Sequence, residues 1–258
     1  MIYNTTQANG KKSPKLRTVN KSVPPYPLNQ FSTEFPYILG REIVYLLASK
    51  GKGVLEGSEW EEIFAHCIGA DWKPSNVGLD DVVLGNTAWG AKTVKSGVKD
   101  FRTLKKVRLI SGRNSIVYSY GGTIDTSADP NEVGGQVLEI WNERVSSIRE
   151  KFKHLRTVVL VKSDDLTQVA VFEFDTVRYD PEIFDFSWNK NGNLEGFDKG
   201  TDNKRFTWQP HGSQFTIVEE VPSSSLILKL KQPKTLDKDK ILSAIGFDKT
   251  WVTIEKRE

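Results

Sequence analysis

Residues 57–95, GSEWEEIFAHCIGADWKPSNVGLDDVVLGNTAWGAKTVK, limit what this chain can fold into more than any other stretch. Trp60, Ile63, Phe64, Cys67 and Ile68 recur at the spacing of one helix face. Ser58, with Glu61 three residues on, predicts an N-terminal capping box, and Gly69 predicts the helix end. A polar loop leads to Asp80 and Asp81 at the mouth of a short apolar strand, Val82–Leu84. Gly85-Asn86 then turns the chain into a second strand, Thr87–Lys95. The two-residue period of a strand puts Ala88, Gly90, Lys92 and Val94 on one face. Trp89, Ala91 and Thr93 take the other.

This geometry gathers chemistry at one place. Glu61 lies about 100° around the helix from Trp60, at the edge of the apolar stripe beside Ala65 and Ile68, so it can reach the sheet. Asp81 enters the hairpin and Lys92 stands on its second strand, so both reach one sheet edge. Two acids and a lysine there suit a hard cation that clamps a phosphate. The lysine can orient or activate an attacking water, or neutralise developing charge.

The sequence of Trp-Glu on a helix, Asp before Val-Val-Leu, and Trp-Gly-Ala-Lys-Thr-Val-Lys resembles the PD-(D/E)XK nuclease superfamily, type II restriction endonucleases above all. The resemblance spans about residues 57–165 and implies an α/β fold. Its core would be a mixed central β-sheet flanked by helices, restriction-endonuclease-like, with a β-rich C-terminal lobe. It implies Asp81, Lys92 and Glu61 as catalytic residues and Asp81, Glu61 and Asp80 as ligands for Mg2+, joined by a backbone carbonyl near Ala91. One position departs: two residues before the lysine, where the family carries an acid, stands Gly90, and Glu61 would supply the missing carboxylate. The implied activity is site-specific hydrolysis of double-stranded DNA to 5′-phosphate ends by a homodimer. Two alternatives stay open: a DNA-binding protein of the same fold that has lost hydrolysis, and a repair or recombination nuclease.

Charge distribution bears on that reading. The net charge of +3 is mild, but up to Glu34 the chain has Lys11, Lys12, Lys15, Arg17 and Lys21 and no acid. From Lys92 to Arg113 come Lys95, Lys99, Arg102, Lys105, Lys106, Arg108 and Arg113 against a single acid, Asp100. Such segregation marks a face for a polyanion, and these residues are the expected DNA contacts. The one cysteine, Cys67, falls on the apolar helix face, which excludes a disulfide framework and predicts an inert core thiol. The three histidines, His66, His154 and His211, lack metal-ligand spacing, so zinc is not expected. With no apolar run able to span a bilayer and no signal-peptide core, a cytoplasmic protein is expected.

Along the chain, residues 1–30 read as a flexible basic arm, 31–180 as the nuclease core and 181–258 as a C-terminal DNA-reading lobe integrated with it. A helix from Phe35 to Gly51 carries Glu42, a further acid that reads as solvated. Val98–Lys106 reads as a basic turn or short helix, 107–110 and 115–120 as strands, and Gly121-Gly122 and Asp129-Pro130 as loops. A helix with Val133, Val137, Ile140, Trp141, Val145 and Ile148 in one stripe precedes two strands, RTVVLVKS and QVAVFEFD. From Gly57 the order is helix, two or three strands, helix, strand, which fits a mixed α/β core. Residues 180–214 read as long loops whose Asn189, Lys190, Lys204, Arg205, Gln209 and His211 could contact DNA. Strands at 215–219 and 226–230 and a helix near 240–245 close the chain.

Overall fold

A computed structural model of the chain describes residues 22–74, 78–121, 123 and 127–255. Lys11, Lys12, Lys15, Arg17, Lys21 and Gly122 lie outside the described residues. The first helices are α1 (Phe35–Lys50) and α2 (Gly57–Ile68), followed by strands β1 (Asp71–Trp72), β2 (Val82–Leu84), β3 (Thr87–Lys95) and β4 (Lys106–Arg113). Next come α3 (Ile116–Tyr120), α4 (Pro130–Arg149), β5 (His154–Lys162) and β6 (Gln168–Asp175). The remainder is β7 (Phe184–Trp188), β8 (Leu194–Asp198), β9 (Lys204–Gln209), β10 (Gln214–Glu220), β11 (Leu226–Lys229) and α5 (Lys238–Ala244).

The strands form two sheets, a six-stranded one in the order β1-β2-β3-β5-β6-β11 and a five-stranded one in the order β4-β10-β9-β8-β7. After α2, β1, β2 and β3 form an antiparallel meander, and α4 then carries the chain back so that β5 runs parallel to β3. The mixed α/β architecture expected from the pattern is therefore present. β5 is buried on both faces between β3 and β6, which explains its unbroken run Thr157–Val161. Segments on either side of residue 180 share sheets: β10 pairs with β4 and β11 with β6.

Three apolar clusters hold these layers together. Leu39 and Ile43 of α1 and Trp60 and Phe64 of α2 pack on the first sheet through Trp89, Val158, Leu160 and Val171. On its opposite face, Ala88 and Leu155 meet Val137, Leu138 and Trp141 of α4 together with Phe206 and Phe215 of the second sheet. Val159, Val161, Ala170 and Phe172 meet Val107 and Leu109 of β4. Each such fully buried side chain contributes about 1.5–3 kcal/mol. Cys67 is one of the buried residues, and burial pushes its thiol up to about 12, as an inert core cysteine requires.

Several local expectations are corrected. The N-cap of α2 is Glu56, not Ser58. Glu56 N donates to Glu59 Oε2 at 2.7 Å, so the capping box sits two residues earlier and leaves Glu61 out of it. Residues 116–120 are helical rather than extended, because Ser115 caps them by accepting from Tyr118 N at 3.2 Å; the Val and Tyr content imitates a strand. Asp129-Pro130 is no loop but the start of α4, with Asp129 accepting from Asn131 N at 3.0 Å. Asp71–Trp72, within the expected loop, adds a short strand to β2. The stretch 184–209 forms β7, β8 and β9, with Phe184, Phe186, Leu194, Phe206 and Trp208 all turned into the core. The polar turns between them hide that alternation.

Residues 22–30, expected to belong to a flexible arm, lie against the first sheet. β11 pairs with β6 only over Gln168–Val171. Beyond it Asn29 substitutes for a strand: its Nδ2 donates to Glu173 O at 2.9 Å, and Glu173 N donates to its Oδ1 at 2.5 Å. Asn29 adopts φ 61°, a left-handed conformation that asparagine tolerates. The buried Glu173 carboxylate also accepts from Tyr26 Oη at 2.8 Å and Trp89 Nε1 at 2.6 Å, and Arg156 Nη1 lies 3.4 Å away. Among the described residues no helix is long and apolar enough to cross a membrane.

Candidate functional site

β2 pairs with β3 only over Thr87–Trp89. From Gly90 onward that edge of β3 has no strand neighbour among the described residues. The residue just before β2 fills the gap: Asp81, 3% exposed, turns its carboxylate inward so that Oδ2 accepts from Ala91 N at 3.3 Å. Its main chain is fixed from the other side, where Lys73 N donates to Asp81 O at 2.8 Å. The short strand and the aspartate at its mouth therefore act together.

Lys92 points from β3 to the same place. Its Nζ donates to Gly78 O at 2.8 Å and Ala91 O at 3.1 Å, and lies 3.8 Å from Asp81 Oδ2. The side chain keeps 19% exposure, so the ammonium is partly withdrawn from water. Burial holds its pKa below the ordinary lysine range; the carboxylates of Asp81 and Glu61 oppose that shift, and the guanidinium of Arg144 adds to it. Glu61 is half-buried on α2 and accepts from Trp72 Nε1 at 3.2 Å. Asp80 is half-buried beside Asp81. Among the described residues no three or more His, Cys, Asp or Glu side chains are grouped to hold a metal ion.

Gly90 has a structural cause. A Cβ there would stand 2.9 Å from Gly78 O and 3.1 Å from Leu79 Cα, so the 78–79 backbone lies where a side chain would begin. That same Gly78 carbonyl receives Lys92. Leu79 is buried in the cluster with Ala88 and Trp141, which keeps the segment down on β3. The need for glycine at position 90 and the seating of Lys92 thus follow from one backbone contact.

Arg144, on α4, is not among the residues that the sequence singles out. It lies one turn beyond Trp141 and is half-buried. Nη1 donates to Ser111 O at 2.8 Å and Asn114 Oδ1 at 3.1 Å, and the guanidinium sits 5.5 Å from the Trp141 ring centroid. Gly112 makes room for it: a Cβ there would be 2.5 Å from Nη2. The available signal is its position at the edge of the apolar stripe.

The basic residues expected to contact DNA divide into paired and unpaired sets. Lys95 pairs with Asp164 at 3.0 Å, Arg102 with Asp100 at 2.6 Å, and Lys204 with Glu195 at 2.9 Å. Arg205 lies between Asp198 at 3.8 Å and Glu219 at 3.9 Å, and Lys106 bonds Asn203. Lys99, Lys105, Arg108 and Arg113 are exposed and form none of these ion pairs. Lys106 and Arg108 share the outward side of β4. Asn189 builds the β7–β8 turn, accepting from Asn191 N at 2.9 Å and Asn193 N at 3.1 Å. Lys190 and His211 are exposed on turns, and Gln209 ends β9. No family model, curated protein or solved structure matches the chain.

Proposed function

We propose that this chain is a magnesium-dependent endonuclease of the restriction type, acting on double-stranded DNA. The observation that carries the reading is the buried carboxylate of Asp81 beside the ammonium of Lys92, at the edge of β3 that β2 leaves uncovered. The order around it, with α2, the three-stranded meander, α4 and the parallel β5, agrees with the restriction-endonuclease-like core that the resemblance implied.

The donors fit a hard cation in chemistry, since a buried carboxylate, the nearby Glu61 and Asp80 and the Ala91 carbonyl are all oxygen ligands. Asp81 and Glu61, with Asp80, would hold Mg2+. When bound, the ion supplies Lewis-acid stabilisation of a phosphoryl oxygen and lowers the pKa of a water. Lys92 orients the attacking water and balances charge at the scissile phosphate. Lys99, Lys105, Arg108 and Arg113 offer charge to other phosphates. In this reading the product ends carry 5′-phosphate, the working unit is a homodimer on a palindromic site, and the protein is cytoplasmic.

One observation favours a second reading, a DNA-binding protein without hydrolysis: the backbone of Gly78 and Leu79 occupies the position of the family's second acid. Incubation with mixed-sequence plasmid and magnesium, followed by end mapping, separates the two. Discrete fragments support the restriction reading and a smear supports a non-specific nuclease. Intact plasmid with a gel shift supports the binding protein.

A further inference from the structure

We infer that Arg113, Gln214 and Gln209 form a row that reads base edges in the major groove of duplex DNA. The inference rests on the DNA-binding part of the reading above and needs no hydrolysis. The row crosses three neighbouring strands: Arg113 of β4 stands opposite Gln214 of β10, and Gln214 opposite Gln209 of β9. A register shift puts Arg113 there. From Ile110, opposite Thr216, three steps along β4 to Arg113 answer two steps along β10 to Gln214. Without that bulge residue 112 would face Gln214, and Arg113 would turn to the other side of the sheet. That other side is the core, where Leu109, Phe215, Ile217, Phe206 and Trp208 are buried. On the row's own side Ile110 is 59% exposed, and Arg108 beyond it is exposed too. Thr216 and Thr207, small side chains in the middle of that side, are buried, so contact falls to the longer side chains around them.

Asn114, next to Arg113 and fully buried, fixes the end of the sheet that carries the row. Its N donates to Ser213 O at 2.8 Å, its O accepts from Trp208 Nε1 at 2.8 Å, and its Nδ2 donates to Val137 O at 2.9 Å. On this pinned backbone the three side chains of the row are unengaged. Arg113 is exposed and the two glutamines are half-buried; among the described residues none of the three makes a hydrogen bond or ion pair through its side chain. Polar side chains elsewhere on the sheet are paired off, as Lys204 and Asn189 are with Glu195 at 2.9 and 3.0 Å. A carboxamide presents a donor and an acceptor side by side and matches adenine N6 and N7; a guanidinium matches guanine O6 and N7. Adjacent strands lie about 4.8 Å apart, so the row spans about 10 Å, within the major groove's width of about 12 Å. A phosphate track calls for cations, whereas two uncharged amides beside one arginine suit bases. The row therefore reads one guanine and two adenines, on either strand, in adjoining base pairs.

The test selects duplexes from a mixed-sequence library by calcium-supported binding to the parent and to Arg113→Ala, Gln214→Ala and Gln209→Ala, with thermal melts to confirm folding. The parent should return a motif holding a G·C pair beside A·T pairs. Each variant should lose about tenfold or more of the preference at one motif position and keep it at the others. The two glutamine variants should leave the slope of log affinity against log salt unchanged, because no charge is removed. In a second measurement, 7-deazaguanine or 7-deazaadenine at the affected position takes away the N7 acceptor. It should weaken the parent about tenfold and the matching variant far less. Should an alanine variant fail to fold, Gln214→Asn, Gln209→Asn or Arg113→Lys carries the same comparisons. Weakening spread evenly over all sequences, a motif unchanged in all three variants, or equal sensitivity of parent and variant to the 7-deazapurine overturns the inference and leaves the nuclease reading in place. So does a parent that cuts or binds DNA with no sequence preference. A sedimentation coefficient that changes in the variants while the motif does not assigns this face to a second copy of the chain, and also overturns the inference. A parent that binds its motif without cutting, with each variant losing one position, supports the row and removes the hydrolysis. A parent that neither binds nor cuts DNA overturns both.

Discussion

Lys92 and Asp81 are held 3.8 Å apart by backbone rather than by each other. The ammonium makes its shorter contacts to the Gly78 and Ala91 carbonyls, and the carboxylate accepts the Ala91 N–H. The pair is fixed from outside by main-chain groups, so each side chain keeps its place when the other is replaced. Asp81→Asn and Lys92→Met, each close to isosteric, should therefore reduce plasmid cleavage by about 10²-fold or more. Their gel-shift affinity for DNA should stay within about threefold of the parent, because most affinity comes from phosphate contacts elsewhere. Cleavage at the parent rate by both variants would move the chemistry away from this edge.

The lowered pKa of Lys92 has a consequence for stability. The unfolded chain holds the Lys92 proton up to about pH 10.4, whereas the folded chain releases it earlier. Between those two pKa values the unfolded state binds more protons, so stability rises with pH there. Below the folded pKa the full cost of carrying the charged lysine is present. The melting temperature of Lys92→Met minus that of the parent should thus shrink as pH is raised from 8 toward 10. A difference that stays level or widens would mean that burial does not depress this lysine.

The paired and unpaired basic residues should differ in what they give to DNA. Replacing Lys99, Lys105 and Arg108 with Gln should reduce the slope of log affinity against log salt by about 0.9 for each phosphate no longer neutralised. Arg102→Gln should reduce it less, because Asp100 already binds that guanidinium through bonds of 2.6–3.0 Å. Equal effects, or an unchanged slope for the triple variant, would put the DNA on another face.

What the sequence makes legible follows from which interactions are local. The α2 stripe, the β2–β3 hairpin, the α4 stripe and the strands β5 and β6 each carry their period within a short window, and each is found. Asp81 and Lys92 lie 11 positions apart, just beyond the paired stretch of β2 and β3, so a local hairpin brings them to one edge. Arg144 cannot be found that way, since its neighbours Ser111 and Asn114 come from a different part of the chain. Gly90 reads as a missing ligand because the sequence cannot tell that Gly78 and Leu79 fold onto it. β7 to β9 read as loops because Asn189, Gly192 and Gly200 dominate short windows, while the inward Phe and Trp residues matter only once the second sheet exists.

Glu173 ties the segment before α1 to the sheet and should matter to stability more than to chemistry. Its carboxylate is 0% exposed and faces Arg156, itself 3% exposed, with Tyr26 and Trp89 donating to it. Glu173→Gln leaves the buried Arg156 charge with only the exposed Asp175 carboxylate, 3.9 Å from its Nε, and turns an amide N–H2 toward existing donors. Removing one partner of a buried pair costs about 3–5 kcal/mol. Denaturant melts should register that loss, and a loss below about 1 kcal/mol would mean that water reaches the pair.

Gly90 stands where the nucleases that the sequence resembles carry an acid. If Gly90 were an empty ligand site, adding a carboxylate would strengthen metal binding. The geometry argues otherwise: even a methyl group would meet Gly78 O at 2.9 Å and Leu79 Cα at 3.1 Å, and both obstacles are backbone. Relief requires lifting the 78–79 segment, which takes away the Lys92 acceptor and disturbs Leu79, 1% exposed in the core. Gly90→Ala should accordingly lose about 1–3 kcal/mol of stability, as overpacked sites do, and cut more slowly because Lys92 loses its seat. Gly90→Glu should do worse, and it should not restore cleavage to a Glu61→Gln variant that lacks the carboxylate supplied by α2. The measurements are denaturant melts of Gly90→Ala and magnesium titrations of cleavage by Glu61→Gln with and without Gly90→Glu. Parent-like stability of Gly90→Ala together with recovered cleavage in the double variant would mean that the segment yields and the ligand position is open after all.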